Sequence, residues 1–158
     1  MIKLQIQGYD EPFEIENLVF DYNGTLALDG KMSIRTREGL SLLHKAGFNI
    51  TVLTADTLGT VTKECEGLPI EVNIFDKGNA EESKLEIVNR LGAEKTAAIG
   101  NGRNDLSMLK NANIGIAVIG MEGAYAGLMQ AADILVPSID SAIELFLKPK
   151  RIEATLRR

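Results

Sequence analysis

Short apolar runs alternate with amphipathic segments along most of the chain. Leu18 to Phe20 form a fully apolar run that ends at Asp21, and Phe48 to Leu53 form the next one. Between these runs, leucines recur at helical spacing from Thr36 to Lys45 before a glycine ends the periodicity. Short apolar runs are typical of buried strands, and a periodic segment closed by glycine favours a helix. The pattern therefore predicts a strand, a helix and a second strand, with Asp21 at the end of the first.

The same alternation predicts the remaining elements. They are strands at Ile70 to Phe75, Thr96 to Ile99, Ile114 to Val118 and Ile134 to Val136, and helices at Glu81 to Leu91, Asn104 to Asn111, Glu122 to Ala132 and Ser138 to Leu147. Strands separated by single helices need crossover connections, which place the strands parallel to one another. We therefore expect an α/β fold with a doubly wound parallel sheet.

The two ends of the chain have different patterns. Ile2, Leu4 and Ile6 alternate with polar residues, which predicts a half-exposed strand forming an amino-terminal edge hairpin with Phe13 to Ile15. The stretch Lys148 to Arg158 is basic, and we expect a solvated, frayed tail. The chain contains no internal repeat or linker, so residues 1–158 are expected to form one domain.

Composition limits the classes of function. The 158 residues are 45% hydrophobic and carry a formal net charge of -5, which argues against nonspecific binding to nucleic acid. The chain has no apolar run of roughly 18 to 20 residues and no signal-peptide pattern, so we expect a cytoplasmic protein that does not enter a membrane. With Cys65 and His44 as the sole cysteine and histidine, any metal ion must be held by oxygen ligands.

Polar segments follow the predicted strands at their carboxyl ends. Residues 21–26 read Asp-Tyr-Asn-Gly-Thr-Leu, Thr54 follows the second strand, and residues 100–105 read Gly-Asn-Gly-Arg-Asn-Asp. In open α/β sheets, ligands bind in the crevice just outside these strand ends. The three segments are therefore expected to meet at one site.

These segments resemble the signatures of the haloacid dehalogenase superfamily over nearly the whole chain. Residues 21–26 are similar to the first signature, usually DxDGT, or DKTGT in P-type ATPases. Thr54 matches the second signature, and Lys84, four residues before Val88, matches the third better than its rival Lys77. Residues 100–105 are similar to the GDGxND loop of P-type ATPases and many phosphatases. The order of the motifs carries more weight than any one of them.

The resemblance implies a Mg2+-dependent phosphatase or phosphotransferase that forms an aspartyl-phosphate on Asp21. The implied catalytic residues are Asp21, Asn23, Thr54 and Lys84. The implied phosphate-binding groups are the backbone amides of Asn23, Gly24 and Thr25, together with Thr54, Ala55 and Lys84. The implied metal ligands are Asp21, the carbonyl of Asn23, Asn101 and Asp105, although Asp105 could instead pair with a lysine. A phosphorylated small molecule or macromolecule is the implied substrate. The superfamily's cap insertions are missing, so a neighbouring subunit of a homo-oligomer could act as a lid.

Two amides stand where the superfamily usually has carboxylates. Asn23 occupies the position of the aspartate that protonates the leaving group and activates water, and an amide cannot move a proton at neutral pH. Asn101 occupies the position of a metal-binding aspartate, which implies weaker binding of magnesium. Attack by Asp21 remains expected, whereas fast hydrolysis of the intermediate does not.

Two alternatives remain open. A noncatalytic relative could keep the fold and bind phosphate or a partner protein, and the two asparagines motivate this interpretation. A receiver-like signalling domain is the other alternative, because Asp56 also follows a strand. The amino-terminal strand lacks the acidic pair that such a domain uses for magnesium, so this alternative ranks below the first.

Overall fold

The computed structural model describes residues 1–56 and 59–158. Its strands are β1 (Ile2–Leu4), β2 (Phe13–Ile15), β3 (Asn17–Asp21), β4 (Ala27–Leu28), β5 (Lys31–Met32), β6 (Asn49–Thr54), β7 (Glu71–Ile74), β8 (Thr96–Gly100), β9 (Ile114–Val118) and β10 (Ile134–Val136). Its α-helices are α1 (Ile34–Lys45), α2 (Thr60–Glu64), α3 (Ala80–Leu91), α4 (Leu106–Asn111), α5 (Ile139–Leu147) and α6 (Lys150–Leu156).

A six-stranded sheet with the order β10-β9-β8-β3-β6-β7 forms the centre of the fold. Every pairing in it is parallel, which confirms the predicted α/β class. All five residues of β3 are buried, as expected for a central strand covered on both faces. The chain runs outward from β3 to β6 and β7, then returns to β8 on the other side. The switch in strand order therefore lies between β3 and β8.

Helices cover both faces of the sheet, and alternate residues of β3 enter two separate cores. Leu18 and Phe20 pack in the cluster that includes buried leucines of α1 and apolar residues of α5. Val19 packs in the opposite cluster, which includes Val88 of α3 and Leu109 of α4. The period-two alternation of side chains along a strand produces this division. The loops that follow β3 and β8 therefore start from strands that are packed on both faces.

The amino-terminal hairpin forms as predicted, with β1 and β2 antiparallel, but it is a separate two-stranded sheet. It joins the amino-terminal end of the central sheet through backbone contacts and does not extend an edge strand. The Glu16 amide donates to the Lys95 carbonyl at 2.9 Å, and the Asn49 amide donates to the Glu16 carbonyl at 3.0 Å. The hairpin therefore lies at the opposite end of the sheet from Asp21.

The basic tail is ordered, and the expectation that it frays is wrong. Residues Lys150–Leu156 form α6, and Ile152 is completely buried in the larger core cluster. The Arg158 amide donates to the Gln7 carbonyl at 3.0 Å, and its guanidinium lies 4.2 Å from the centroid of the Tyr9 ring. Burial of one apolar residue and these contacts to the hairpin order the segment despite its charge.

The segment predicted as a helix from Glu122 to Ala132 is mostly a loop. Only Ala126–Gln130 is helical, and it is a 3₁₀ helix. Gly123 adopts a φ of 78°, a left-handed conformation that an α-helix cannot contain. The segment instead folds back over the loop that follows β8, and this places it at the rim of the site.

The regions where the superfamily inserts caps hold small elements in the described residues. Between β3 and β6 lie the β4–β5 hairpin and α1, and between β6 and α3 lie α2 and β7. The hairpin and α2 were not predicted from the sequence. Helix α1 starts two residues earlier than predicted because the Ser33 hydroxyl caps it by accepting from the Thr36 amide. No large cap is present in the described parts of the chain. Within residues 1–56 and 59–158, each helix is too short or too polar to cross a bilayer.

Candidate active site

Asp21 is the last residue of β3, and its side chain lies at the carboxyl edge of the sheet beside the switch in strand order. The residue is only 8% exposed. It lines a cavity of about 510 Å³ together with the predicted site residues Asn23, Thr54, Ala55, Lys84 and Asn101. The structure thus brings the segments that follow β3, β6 and β8 to one cavity, as the sequence predicts.

Lys84 reaches this cavity from the core-facing side of α3, one helical turn before the buried Val88. Its ammonium donates to Asp21 Oδ1 at 2.7 Å, to Asp105 Oδ1 at 2.6 Å and to Asn104 Oδ1 at 3.0 Å. All three donor positions of the ammonium are therefore used. Lys84 is in the predicted place. The side chain of its rival Lys77 lies outside the described residues.

Asp105 holds the lysine and the loop after β8, and it is fully buried. While Oδ1 accepts from Lys84, Oδ2 accepts from the backbone amides of Asn101 at 3.0 Å and Gly102 at 2.8 Å. A side chain on residue 100 would come within 2.5 Å of Asp105, so this position requires glycine. Both carboxylate oxygens of Asp105 are thus used in contacts within the protein. Of the two predicted roles, lysine pairing is the observed one.

The charges of the triad Asp21, Lys84 and Asp105 do not balance, because two carboxylates face one ammonium. The pKa of Asp21 is raised to about 7, because burial and the nearby Asp105 raise it by more than Lys84 and Thr25 lower it. Burial disfavours the charged form of Lys84, but the two carboxylates outweigh it and its pKa is raised. The site therefore holds a permanent cation, and when Asp21 is ionised the triad carries one unbalanced negative charge next to the cavity.

The loop after β3 differs from the expectation that its amides hold phosphate. The Gly24 amide donates to the Ala27 carbonyl at 2.9 Å, and the Thr25 amide donates to the Tyr22 carbonyl at 3.3 Å. Both donors are used to close the turn, so neither is directed at a ligand. Gly24 has a φ of 77°, and a Cβ atom there would lie 2.3 Å from the Asn101 side chain. Glycine is needed so that the two loops can pack together.

The Thr25 hydroxyl lies between an oxygen of Asp21 and an oxygen of Asn101. It is 3.2 Å from Asp21 Oδ2 and 3.1 Å from Asn101 Oδ1, and it can donate to one of them at a time. These two oxygens therefore face a common region. Among the described residues, no three His, Cys, Asp or Glu side chains form a metal-binding group. A cation here would need Asp21 together with neutral amide and carbonyl oxygens.

This donor set fits magnesium, which is bound by oxygen and commonly by only one or two carboxylates. Asp21 Oδ2, Asn101 Oδ1 and the Asn23 carbonyl are the oxygens that could hold it. A divalent cation would also balance the excess negative charge of the triad. Asp21, Asn23 and Asn101 of the predicted metal ligands offer these oxygens, whereas Asp105 is engaged by Lys84 and two backbone amides.

Asn101 is fixed at two points by the segment that follows β9. Its side-chain nitrogen donates to the Gly123 carbonyl at 3.1 Å, and its backbone carbonyl accepts from the Tyr125 amide at 2.8 Å. The first contact directs the amide oxygen toward Thr25 and Asp21. An aspartate could not make it, because a carboxylate has no N–H to donate. The surrounding structure is thus matched to an amide at position 101.

The remaining predicted residues lie around the cavity. Thr54 is buried, and its hydroxyl oxygen accepts from the Asp56 amide at 3.1 Å, which leaves the hydroxyl hydrogen to donate. Asn23 is exposed at the opening. Asp56 Oδ2 accepts from the Thr60 hydroxyl at 2.7 Å and the Val61 amide at 2.9 Å, so it binds the first turn of α2. These contacts explain why an aspartate follows β6, so its position there does not require that Asp56 accept a phosphoryl group.

Sequence reasoning did not single out several residues that complete the cavity. The Asn104 side chain accepts a hydrogen bond from Lys84. Its position beside Asp105 in the GDGxND-like loop could have marked it as a site residue. Phe75, Glu81 and Arg103 also line the cavity, and nothing in their local pattern marks them. The contact of the Gly123 carbonyl with Asn101 has no signal in the sequence, because it forms only where the backbone folds back over the loop after β8.

Comparison with known proteins agrees with this architecture. A family model described as haloacid dehalogenase-like hydrolase matches residues 70–143, which include Lys84 and the loop from Asn101 to Asp105. The other signature residues, Asp21 and Thr54, meet that loop in the structure. The similarity to haloacid dehalogenase-like hydrolases is therefore shown for residues 70–143. An uncharacterized protein of Methanocaldococcus jannaschii is 44% identical over 84 residues, which cover 51% of this chain and 90% of that protein.

Other similar proteins match more of the chain at lower identity. The copper-exporting P-type ATPase of Staphylococcus aureus is 28% identical over 137 residues, which cover 86% of this chain but only 16% of the ATPase. The phosphatase of 3-deoxy-D-manno-octulosonate 8-phosphate from Moraxella catarrhalis, solved with magnesium and phosphate ions, has a TM-score of 0.73 at 20% identity, covering 90% of this chain and 94% of that one. The cobalt-bound enzyme of the same name from Haemophilus influenzae has a TM-score of 0.74 at 19% identity, covering 92% and 94%. These structures support the capless haloacid dehalogenase fold.

Proposed function

We propose that the protein is a Mg2+-dependent phosphatase or phosphotransferase that carries the phosphoryl group on Asp21. One observation supports this most strongly. The Asp21 carboxylate ends the central strand, borders a cavity and lies 2.7 Å from the ammonium of Lys84, which Asp105 fixes from the other side. A carboxylate placed in this way can act as a nucleophile toward a bound phosphate.

The reaction begins with attack of the Asp21 carboxylate on phosphorus. A bond forms between the carboxylate oxygen and phosphorus, and the bond from phosphorus to the leaving oxygen breaks. An acyl-phosphate then replaces one difficult displacement with two easier ones. Water or another acceptor attacks the phosphorus in the second step and frees the carboxylate.

Positive charge is needed because Asp21 and the phosphate repel each other. Lys84 supplies a fixed ammonium beside the nucleophile, and its three hydrogen bonds hold it in place. Magnesium would be held by Asp21, Asn101 and the Asn23 carbonyl, and it would neutralise charge on the transferring group. The Thr54 hydroxyl can donate to a phosphate oxygen. The Gly24 and Thr25 amides already donate to backbone carbonyls. We therefore assign the hydrogen bonds to the phosphate oxygens to Thr54, Lys84 and the backbone near Ala55.

Asn23 determines how fast we expect the aspartyl-phosphate to be hydrolysed relative to its formation. It lies at the opening of the cavity, where an acid or base would reach the leaving oxygen or the water. Its amide cannot exchange a proton, and general acid–base catalysis typically contributes roughly 10²–10⁴-fold. We therefore expect the aspartyl-phosphate to persist, as in a phosphotransferase or a slow phosphatase.

A phosphate monoester of small size is the substrate that the cavity suits. The fold similarity to phosphatases of 3-deoxy-D-manno-octulosonate 8-phosphate supports this class. Because no large cap covers the site in the described residues, a phosphorylated group on a macromolecule could also enter. A noncatalytic phosphate-binding protein is the second candidate, and the two amides at Asn23 and Asn101 favour it.

Turnover of a generic phosphate ester separates these candidates. The protein is incubated with Mg2+ and p-nitrophenyl phosphate, followed by a panel of metabolite phosphates, beside Asp21→Asn and the matched variant Asp56→Asn. The proposal expects turnover that needs Mg2+, disappears in Asp21→Asn and survives in Asp56→Asn. Phosphate binding by calorimetry without turnover of any ester would favour the noncatalytic candidate. Equal loss in both variants, with unchanged melting temperatures, would contradict the assignment of Asp21.

A further inference from the structure

The rim of the cavity carries an arginine that the proposed chemistry does not use. Arg103 lies in the loop after β8 and lines the same cavity as Asp21 and Lys84. Its guanidinium carbon is 5.7 Å from the centroid of the Tyr125 ring, within the range of a cation–π contact. The exposed guanidinium thus has a defined place at the opening.

The position of Tyr125 is determined by contacts on two sides. Its backbone amide donates to the Asn101 carbonyl at 2.8 Å, which ties the rim to the loop that holds the proposed metal ligand. Its ring packs over Gly127, where a Cβ atom would lie 2.4 Å from a ring carbon. These contacts place the ring, which is 40% exposed, beside Arg103 at the rim.

Arg103 is the cavity-lining cation whose charge is available to a ligand. Lys84 is surrounded by Asp21, Asn104 and Asp105, so its charge is balanced by the triad. Among the described residues, Arg103 takes part in no ion pair with a carboxylate, and Glu81, the other charged residue of the rim, accepts from the Ser107 hydroxyl. Guanidinium groups bind carboxylates and phosphates through two parallel hydrogen bonds.

We infer that Arg103 is a specificity-determining residue that binds a second anionic group on the organic part of the substrate. The substrates would be phosphate monoesters that also carry a carboxylate or a second phosphate. This inference rests on the proposed function, because it assumes that the first phosphate lies against Asp21 and Lys84. It gives a role to a cation at the opening of a site whose inner ammonium, Lys84, is already paired with two carboxylates.

Three matched ligands test the inference. Glycerol 3-phosphate ends in a neutral hydroxymethyl group, 3-phosphoglycerate has a carboxylate there, and glycerol 1,3-bisphosphate has a second phosphate. The measured quantity is the ratio of kcat/KM for each ligand with an anionic tail to that for glycerol 3-phosphate, in the 158-residue protein with Mg2+. Charge-assisted contacts of this kind typically change affinity by roughly tenfold to hundredfold.

Arg103→Gln should lower the ratio for at least one of the two anionic ligands by about tenfold to hundredfold, and Arg103→Lys should lower it less. Whichever ligand loses more identifies the second anion as a carboxylate or a phosphate. Arg90→Gln is the matched control, because Arg90 is exposed on α3 and does not line the cavity. An unchanged ratio in Arg103→Gln, or the same change in Arg90→Gln, would overturn the inference.

A binding measurement keeps this test separate from the proposed function. Calorimetry of the three ligands with Mg2+ is carried out on Asp21→Asn, with and without Arg103→Gln, so no turnover occurs. The inference expects tighter binding of an anionic ligand than of glycerol 3-phosphate, and Arg103→Gln should remove the preference. If no ester is turned over but this preference holds, the proposed chemistry fails and the anion site stands. Equal affinities for all three ligands would refute the anion site.

Discussion

The ammonium of Lys84 and the carboxylate of Asp105 form a buried ion pair, with Nζ 2.6 Å from Oδ1 and neither side chain more than 2% exposed. Asp105 uses its other oxygen to bind two backbone amides of the loop after β8. One aspartate thus fixes both the cation beside Asp21 and the loop that contains Asn101. The geometry of the site depends on this pair as much as on the nucleophile.

Replacement of Lys84 by methionine should therefore destabilise the protein strongly. Removing one partner of a buried ion pair typically costs about 3–5 kcal/mol, because the other partner is left without compensation. Here Asp21 and Asp105 would face each other without a cation. Urea unfolding of Lys84→Met at neutral pH measures this cost.

Lys95→Met is the matched control for that change. Lys95 pairs with Glu16 at 3.2 Å, but its side chain is 44% exposed. A surface pair of this kind is worth at most about 1 kcal/mol. Comparable losses in the two variants would show that burial of the Lys84 pair contributes no special stability.

The stability of the metal-free protein should fall as the pH rises through neutrality. The pKa of Asp21 is raised from 3.8 to about 7 in the folded protein. Between these values the folded state holds a proton that the unfolded state has lost, so the free energy of unfolding decreases with increasing pH. Unfolding by urea at pH 5 and pH 8 with a chelator tests this, and Asp21→Asn should reduce the difference. Asp10→Asn controls for loss of an exposed charge. Greater stability at pH 8 than at pH 5, unaltered by Asp21→Asn, would be inconsistent with the burial of this carboxylate.

Asn101→Asp should have two opposite effects. A carboxylate beside Asp21 should lower the magnesium concentration needed for half activity, because it adds negative charge to the metal ligands. The same change removes the hydrogen bond to the Gly123 carbonyl and leaves that acceptor without its donor, which typically costs about 1–3 kcal/mol. Magnesium titration and urea unfolding measure the two effects separately. A variant with unchanged magnesium requirement and unchanged stability would show that neither contact matters.

Asn23→Asp should speed the second step of the reaction. Restoring a group that can transfer a proton should raise the rate of hydrolysis of the aspartyl-phosphate by roughly 10²–10⁴-fold. Rapid-quench decay of the labelled protein measures this rate directly. Since Asn23 and Asn101 both precede glycine and are prone to deamidation, peptide mapping must confirm each asparagine. Rapid decay already present in the wild type, with no gain in Asn23→Asp, would mean that another group supplies the proton.

The sequence predicted the central sheet well because buried parallel strands leave a simple signal. The apolar runs that end at Asp21, Thr54 and Gly100 are continuous and lie between helical segments, so both the strands and the residues at their ends could be placed. Lys84 could be placed because its spacing from Val88 puts it on the face of α3 that packs against the sheet. These assignments depend only on local pattern and on the geometry of parallel sheets.

The parts that were wrong or missed depend on contacts distant in sequence. The tail is helical because Ile152 enters the core, and the segment after Glu122 is a loop because Gly123 folds it over Asn101. The roles of Asp105 and of the Gly24 and Thr25 amides depend on their hydrogen-bond partners in the folded protein, which the sequence does not specify. The β4–β5 hairpin is different. Asp29 and Gly30 both adopt positive φ in its turn. Because an Asp-Gly pair is a known hairpin signal, this hairpin could have been predicted from the sequence.

Chemical trapping of the phosphorylated residue tests the central claim most directly. The protein is incubated with Mg2+ and acetyl phosphate, quenched in acid and reduced with borohydride, which converts an aspartyl-phosphate to homoserine, and its peptides are then sequenced by mass spectrometry. The account predicts homoserine at position 21, none at position 56, and none in Asp21→Asn. Homoserine at position 56 with an unmodified Asp21, or no modification in a protein that turns over phosphate esters, would contradict it.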